Sequence, residues 1–246
     1  MGRLVAAEWL KLRTTRILWA SVPAVVLLAA VAVAGLALSS DVGDVALLEP
    51  TEGVRSAALH LTSTGAVLVI VIGIVISAGE YRTQTATDTF LTTPKRSRVV
   101  AAKLAVGAGL GLTLGALSVV LGVPAAYIWF EAEGARLPAD DAAAWLILGG
   151  VLLYGSLFAI LGVAFGTLVR NQLVAVVAAL TFVLLCEQLL TQSGVPIAEW
   201  FPGNAGAAIV RTPGDFLDPG VGAGLLLAYA LLIAVAGVLV VVRRDA

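Results

Sequence analysis

Residues 79–98 read GEYRTQTATDTFLTTPKRSR, a polar, threonine-rich segment that ends in a basic cluster. Apolar runs long enough to cross a bilayer flank it on both sides. Because basic segments between membrane spans stay on the cytoplasmic side, we expect this segment to leave the membrane there. It also contains two adjacent large apolar residues, Phe90 and Leu91, which water would not favour. We interpret it as a cytoplasmic element whose apolar tip inserts into another protein.

The composition of the chain is that of an integral membrane protein. Of its 246 residues, 60% are hydrophobic and 13% are charged, and a soluble domain could not keep that much apolar surface away from water. We therefore predict an all-α integral membrane protein that forms a single transmembrane domain over residues 1–246. Six apolar runs have the length of a membrane-spanning helix: 17–38, 59–78, 104–130, 143–169, 173–190 and 221–242.

The basic residues indicate how these spans are oriented. Six spans place both termini on one side, and the positive-inside bias assigns that side to the cytoplasm. We interpret the basic start and the first apolar run as a signal anchor, since the run exceeds the usual length of the apolar region within a cleaved signal peptide. The Ala, Val, Leu and Gly bias favours a bacterial source, and hence the bacterial plasma membrane. Twelve of the 15 Lys and Arg residues then lie inside: Arg3, Lys11, Arg13, Arg16, Arg82, Lys95, Arg96, Arg98, Lys103, Arg170, Arg243 and Arg244.

The N-terminal segment, residues 1–16, has an amphipathic pattern. No Gly or Pro interrupts residues 3–12, and the pattern is typical of a helix lying in the headgroup interface. The alternative is a simple extension of the first span. On a helical wheel Val5, Ala6, Trp9, Leu10 and Leu12 share one side, and Arg3, Glu8 and Lys11 lie on the other.

The polar segment 79–98 contains the signals of a short helix. Thr85-Ala-Thr-Asp88 fits the capping pattern in which the threonine hydroxyl accepts from backbone N–H groups of the first turn. Pro94 ends any helix and moves the residue before it out of the α region. These signals predict a short helix near residues 86–92, which needs packing because threonine-rich helices are weak. A flexible polar linker is the alternative.

Small residues recur every fourth position in two predicted spans. The third span has Gly107, Gly111 and Gly115, and the fourth has Gly162 and Gly166. This spacing lets membrane helices approach closely. We favour packing within one chain over a dimer face.

Residues 191–220 form the longest predicted extracytoplasmic segment. They mix Trp200 and Phe201 with several Pro and Gly residues. We predict short helices that dip into the outer leaflet; an ordinary loop with an aromatic anchor is the alternative.

A few polar side chains within the predicted spans are candidates for a transport path. Glu187 is the one acid inside a predicted span, and Gln188 follows it. An ionisable group at membrane depth is a functional candidate by default, although Glu187 could also snorkel or be protonated and hydrogen-bonded. Thr62 and Ser63, at the outer end of the second span, are further candidates.

Most catalytic and metal-binding chemistry is excluded by residue type. The single cysteine, Cys186, and the single histidine, His60, are too few for a disulfide or a metal cluster. None of the three lysines follows the glycines of a phosphate-binding loop. We predict no catalytic residue, no metal, no cofactor and no nucleic acid bound by this chain.

Four short motifs, together with the six spans, resemble a known family. They are Glu8-Trp-Leu-Lys-Leu-Arg13, Gly79-Glu-Tyr-Arg82, Phe90-Leu-Thr-Thr-Pro94-Lys-Arg96 and Phe201-Pro-Gly-Asn204. Over essentially the whole chain they are similar to the permease subunits of type-2 ATP-binding-cassette (ABC) exporters. The chain has Gln84-Thr85 where many relatives carry Gly-Thr, a departure at the start of the coupling helix.

This resemblance implies an ATP-driven export machine with several partners. Two permease halves, the second a copy or a paralogue, would pair in the lipid around a path lined by the second and fifth spans. A separate ATPase subunit would bind ATP and magnesium. The resemblance implies a coupling helix that meets the ATPase through Glu80, Arg82, Thr85, Thr87, Asp88, Phe90 and Leu91. It also implies an N-terminal connecting helix with Glu8, Trp9, Lys11 and Arg13.

Two other functions stay open from the residues alone. A secondary transporter is expected to have more charge or broken helices at mid-membrane than Glu187 provides. A non-transporting scaffold or sensor subunit could use residues 79–98 only to hold a cytoplasmic partner. The substrate, and whether the dimer has identical halves, are not encoded in any pattern we recognise.

Overall fold

In a computed structural model of the protein, the described residues are almost entirely helical. They comprise residues 1–39, 50–83, 85, 96–132, 142–210 and 217–243, and contain no strand. A short 3-10 helix, Pro196–Trp200, precedes α7. The helices are α1 (Gly2–Thr14), α2 (Ile17–Ser39), α3 (Pro50–Arg82), α4 (Arg96–Ala132), α5 (Ala142–Val169), α6 (Gln172–Gln192), α7 (Pro202–Ala208) and α8 (Pro219–Arg243).

The all-α membrane fold with six spans is confirmed. Six described helices, α2 to α6 and α8, are long and apolar enough to cross a membrane, and each contains one predicted span. The prediction underestimated the lengths of α3 and α4, which have 33 and 37 residues. The additional turns are polar or charged, so a search for apolar runs does not include them. Both helices exceed the roughly 20 residues that a bilayer requires.

The central helix of the bundle is α5, which packs against α3, α4 and α8. Its sequence is apolar or small on all sides, the pattern of a helix surrounded by protein. Phe158, Val163 and Ala164 are completely buried. By contrast, α2, α6 and α8 expose large apolar side chains such as Trp19, Leu173 and Leu232, as is expected of surfaces that face lipid.

Glycines allow α3 and α4 to approach α5 at backbone distance. A Cβ atom on Gly111 would lie 2.2 Å from the carbonyl oxygen of Gly155, and one on Gly162 would lie 2.4 Å from that of Ile70. Real Cβ atoms do not approach other atoms so closely, so only glycine fits at these crossings. The predicted use of the glycine spacing for packing within one chain is therefore confirmed.

The segment between α6 and α8 contains the short helices expected from its sequence. The 3-10 helix and α7 lie in its described part, and α7 packs into the bundle with Ala205 and Ala208 fully buried. The N-terminal helix α1 is separate from α2, because Thr15 between them has extended backbone (φ −83°, ψ 151°). The helix α1 is therefore not continuous with α2, and its position in the headgroup interface stays a prediction.

Candidate functional site

One end of the bundle, which we call the basic end, joins the ends of α1, α3 and α4 with the turn between α5 and α6. At that turn Arg170 adopts a left-handed conformation (φ 56°), and its guanidinium lies 5.7 Å from the ring centroid of Tyr81 at the end of α3. Asn171 caps α6 by accepting a hydrogen bond from the backbone N–H of Val174 (3.2 Å). The basic end thus assembles segments that are far apart in sequence.

Four charged side chains at the basic end form one ion-pair cluster: Glu8 and Lys11 of α1, Glu80 of α3 and Lys103 of α4. Lys11 Nζ lies 2.6 Å from Glu8 Oε1 and 2.8 Å from Glu80 Oε1. Lys103 Nζ lies 2.9 Å from Glu8 Oε2 and 2.8 Å from Glu80 Oε1. Two positive and two negative groups therefore balance within the ion-pair cluster and tie three helices together.

The most deeply placed member of the ion-pair cluster is Lys103. Its side chain is 6% exposed, and its ammonium also donates to the carbonyl oxygen of Ile76 (3.4 Å). A buried charge is tolerated only when it is paired and hydrogen-bonded. Lys103 meets this condition through two different helices, so the position of α1 against α3 and α4 depends on it.

The ion-pair cluster shifts the protonation of the two α1 side chains. Burial alone raises the pKa of Glu8, but the charges and hydrogen bonds of Lys103 and Lys11 outweigh it, so that the pKa falls below its usual 4.5. Burial alone lowers the pKa of Lys11, but its hydrogen bonds to Glu8 and Glu80 raise the pKa above its usual 10.5. Both side chains are thus held in their charged forms.

The pKa of Glu8 predicts a pH dependence for the docking of α1. Because its folded-state pKa is depressed, Glu8 stabilises docking above pH 4.5 and stops doing so as the pH falls through the lower folded value. We expect hydrogen exchange of the α1 amides, corrected for intrinsic rates, to accelerate only below pH 4.5. A Glu8→Gln variant should lack this acid transition. Unchanged α1 protection in acid would contradict the assignment.

At the far side of the bundle, α3, α5, α6 and α7 line a partly open cavity of about 250 Å³, which we call the polar cavity. All four transport-path candidates line it: Thr62, Ser63, Glu187 and Gln188. The hydroxyls of Thr62 and Ser63 donate back to carbonyl oxygens of their own helix. The structure thus brings together residues from two spans that are more than 100 positions apart in the sequence.

Glu187 is held in the polar cavity by the start of α7. Its Oε1 accepts a hydrogen bond from the backbone N–H of Asn204 at 2.7 Å. The side-chain amide of Asn204 donates to Thr191 Oγ1 (2.7 Å) and to the carbonyl oxygen of Ala198 (3.0 Å). A π-helical section of α6, Phe182–Cys186, ends directly before Glu187, and such sections are frequent at functional sites.

A model of one protein family matches most of the chain. The family is described as ABC-2 family transporter protein, and the match covers residues 4–186. The chain belongs to the ABC-2 transporter family. No curated protein and no solved structure matches it. The matched region runs from α1 to the end of the π-helical section of α6 and includes the whole ion-pair cluster.

Membership of this family identifies the chain as a permease subunit of an ABC transporter, a multi-pass membrane protein. The family is one of transport subunits, and it implies an ATPase partner. Among the described residues there is no group of His, Cys, Asp and Glu that could hold a metal ion.

The predicted contacts with the ATPase are described in part. Glu80 belongs to the ion-pair cluster, whereas Arg82 and Thr85 are exposed at the end of α3. The backbone N–H of Thr85 donates to the carbonyl oxygen of Glu80 (3.0 Å). The helix predicted near residues 86–92 lies outside the described residues, with Thr87, Asp88, Phe90 and Leu91.

One prediction about α1 was wrong in detail. The helical wheel placed Glu8 on a water-facing side, but Glu8 is only 6% exposed and points into the bundle. The reason is Lys103, whose buried ammonium needs a counter-ion. Trp9 and Arg13, also predicted on the connecting helix, are exposed, and Lys11 is partly exposed.

Sequence reasoning missed several residues of the two sites. Lys103 was treated only as a basic residue of a loop, because a lysine at the end of an apolar run is the ordinary flank of a membrane span. Asn204 was recognised only as part of a motif, and Tyr154 and Thr191 were not assigned to the path. The contribution of Asn204 and Thr191 to the polar cavity depends on α7 folding back against α6. No local sequence pattern specifies this contact.

Proposed function

We propose that this chain is the permease subunit of an ABC exporter in a bacterial plasma membrane, with both termini in the cytoplasm. A separate ATPase, which holds ATP and magnesium, would dock at the basic end. The observation that carries this proposal is the ion-pair cluster, because it links α1 to both helices that flank residues 83–95. The strong bias of basic residues toward this end supports the cytoplasmic orientation.

The ion-pair cluster supplies a mechanical route from the ATPase to the membrane. Glu80 lies just before the segment 83–95 and Lys103 lies after it, and their 2.8 Å contact closes the base of that segment. A force on the coupling segment therefore acts on α3 and α4 together, and through Glu8 on α1. Closure of the ATPase on ATP would move these three helices as one unit, instead of bending a free loop.

The polar cavity supports a path between the second and fifth spans. Its polar lining comes mainly from α3 and α6, the two helices that the resemblance assigns to the path. The outer face of α6 exposes Leu184, Leu185 and Leu189, so an apolar surface next to the polar cavity is available to lipid or to a second permease. We propose that a second copy or a paralogue completes the path there.

The coupling role of residues 79–98 is tested by the double variant Phe90→Ala plus Leu91→Ala. The chain is co-expressed and co-purified with a candidate ABC ATPase subunit, and ATP hydrolysis is measured in proteoliposomes. Truncating two apolar anchors that fill a socket costs several kcal/mol of binding, so we expect at least a tenfold loss of bound ATPase or of stimulated hydrolysis. The matched control is Thr92→Ala plus Thr93→Ala, in the same segment.

The outcome separates the proposal from a scaffold role. The coupling proposal is supported if the control variant behaves as wild type does and the Phe90 and Leu91 double variant loses coupling. If the Phe90 and Leu91 variant keeps both the ATPase and its stimulation, the apolar tip is not the coupling contact. If the ATPase binds but ATP never alters the permease, measured as proteolytic protection of α3 and α4, the chain is a scaffold.

A further inference from the structure

At the basic end, α1, α2, α3 and α6 line a further, partly open cavity of about 720 Å³, which we call the basic-end groove. It lies at the point where the extended backbone of Thr15 separates α1 from α2. Trp19, in the first turn of α2, is 80% exposed, and tryptophans of membrane proteins concentrate at the membrane–water interface. We therefore expect the basic-end groove at the depth of the lipid headgroups.

The basic-end groove has two arginines that no acid neutralises. Three members of the ion-pair cluster also line it, Glu8, Lys11 and Glu80, but the charges of the ion-pair cluster balance one another. Arg16 and Arg82, by contrast, are exposed and form no ion pair within the part of the chain that the structure describes. The net charge that the groove presents to a ligand is therefore positive.

The floor of the basic-end groove is apolar. Ala20 of α2 and Val75 and Ile76 of α3 line it, and both helices are long and apolar enough to cross a membrane. Ala20 follows Arg16 by about one turn, and Val75 precedes Arg82 by about two turns. The apolar side chains thus lie deeper in the membrane than the arginines. A positive rim above an apolar floor fits a ligand with a negative head and an apolar tail.

Two features favour a lipid over a soluble anion or a segment of a partner protein. A soluble anion would leave the apolar floor uncovered. A protein segment would carry its own backbone polar groups below the headgroups, where each of them needs a hydrogen-bond partner. An acyl chain has no such groups, and anionic phospholipids supply the negative charge that attracts Lys and Arg residues next to membrane spans.

We propose that the basic-end groove binds one anionic phospholipid, whose phosphate accepts hydrogen bonds from Arg16 and Arg82 and whose acyl chain lies along Ala20 and Val75. Arginine suits this role because its planar guanidinium group can donate two parallel hydrogen bonds to a phosphate. Phosphatidylcholine has the same phosphate, but its choline cation would lie beside two unpaired arginines. This lipid site goes beyond the proposed transport function and does not depend on it.

Native mass spectrometry of the full-length chain, purified in detergent and stripped of lipid, tests the proposal. Dioleoyl phosphatidylglycerol and dioleoyl phosphatidylcholine, which share their acyl chains, are titrated separately, and the first bound lipid is resolved by its mass. Because the charge of the two arginines favours only the anionic lipid, we expect phosphatidylglycerol to bind at least tenfold more tightly. Glycerophosphoglycerol, the same headgroup without acyl chains, should not displace it.

Matched double variants assign this preference to the basic-end groove. Arg16→Gln plus Arg82→Gln removes both unpaired cations and should weaken phosphatidylglycerol binding to the level of phosphatidylcholine. Arg3→Gln plus Arg98→Gln removes two exposed cations that do not line the groove, and it should bind as wild type does. Ala20→Phe places a large ring at the apolar floor and should weaken the binding of both lipids. Thermal melting checks that each variant is folded.

Four results would overturn the proposal: equal binding of the two lipids, displacement by the free headgroup, a preference that survives Arg16→Gln plus Arg82→Gln, or an equal loss of preference in both double variants. Displacement by the free headgroup would make the groove a site for soluble anions. If Arg16→Gln plus Arg82→Gln does not fold, the two lipids and the free headgroup on the wild-type chain still decide.

Two further results would assign the basic-end groove to a protein instead of a lipid. A preference found on the monomer but absent from a dimer of the same sample would mean that a second permease fills the groove. Equal binding of the two lipids, together with loss of ATPase binding in Arg16→Gln plus Arg82→Gln, would assign it to the ATPase. The lipid titration itself needs no ATPase, so its failure leaves the coupling proposal standing, and a failed coupling test leaves the lipid site intact.

Discussion

Replacing Lys103 by methionine is expected to release α1 from the bundle and to destabilise the protein more than any other single change considered for the basic end. Methionine preserves most of the side-chain volume but removes the ammonium that lies within 2.9 Å of Glu8 and within 2.8 Å of Glu80. Two carboxylates then compete for Lys11, which is 44% exposed. Removing one partner of a buried ion pair costs about 3–5 kcal/mol.

Melting of the purified chain and tryptic cleavage of α1 measure this effect. A loss of that size lowers the melting temperature by about 6–20 °C in a protein of this length, and α1 should become sensitive to trypsin first. Coupling to the ATPase should fall together with the docking of α1. The matched control is Arg98→Gln, since Arg98 lies on the same helix but is exposed and surface substitutions rarely exceed about 0.5 kcal/mol.

The double variant Lys103→Met plus Glu8→Gln distinguishes a paired charge from a packing role. It removes one charge of each sign and leaves Lys11 paired with Glu80 at 2.8 Å. We expect it to be more stable than Lys103→Met alone, because the buried carboxylate of Glu8, which would lose its partner in the single variant, is then absent. The effects of changes at residues in contact are not additive. Equal losses in the single and double variants, or an effect no larger than that of Arg98→Gln, would mean that the ion-pair cluster does not hold α1.

The six spans could be predicted because each is a local property of the chain. An apolar run such as residues 143–169 has only one stable state in lipid, a helix that satisfies its own backbone. The polar turns at the ends of α3 and α4 escaped prediction because they are stabilised by contacts with other elements. The ion-pair cluster escaped it for the same reason, since Glu8 and Lys103 are 95 positions apart.

The residues of the polar cavity could be predicted in part from the sequence, but their arrangement could not. Polar groups at membrane depth cost free energy, so they are functional candidates by default. This identified Thr62, Ser63, Glu187 and Gln188. Their meeting in one cavity depends on α7, whose Asn204 backbone N–H holds Glu187 Oε1. A backbone donor has no sequence signature, so α7 could be recognised as a short helix but not as a wall of the site.

Substituting Gly111 by alanine is expected to force α4 away from α5 and to lower the stability of the bundle. The new Cβ would lie 2.2 Å from the carbonyl oxygen of Gly155 and 2.7 Å from its carbonyl carbon, and backbone atoms cannot rotate aside as a side chain can. Overpacking of this kind costs about 1–3 kcal/mol or more. We expect the melting temperature to fall by about 2–12 °C.

The matched control for this substitution lies on the same helix, two residues earlier. A Cβ on Gly109 would meet nothing within 4 Å, so Gly109→Ala has no clash to offset the gain in helix propensity of up to about 1 kcal/mol that both variants share. The difference between the two melting temperatures therefore isolates the clash at the crossing of α4 and α5. If Gly111→Ala and Gly109→Ala have the same melting temperature, α4 and α5 do not approach each other at backbone distance. If Gly111→Ala melts at a lower temperature, the four-residue glycine spacing is used for packing inside one chain.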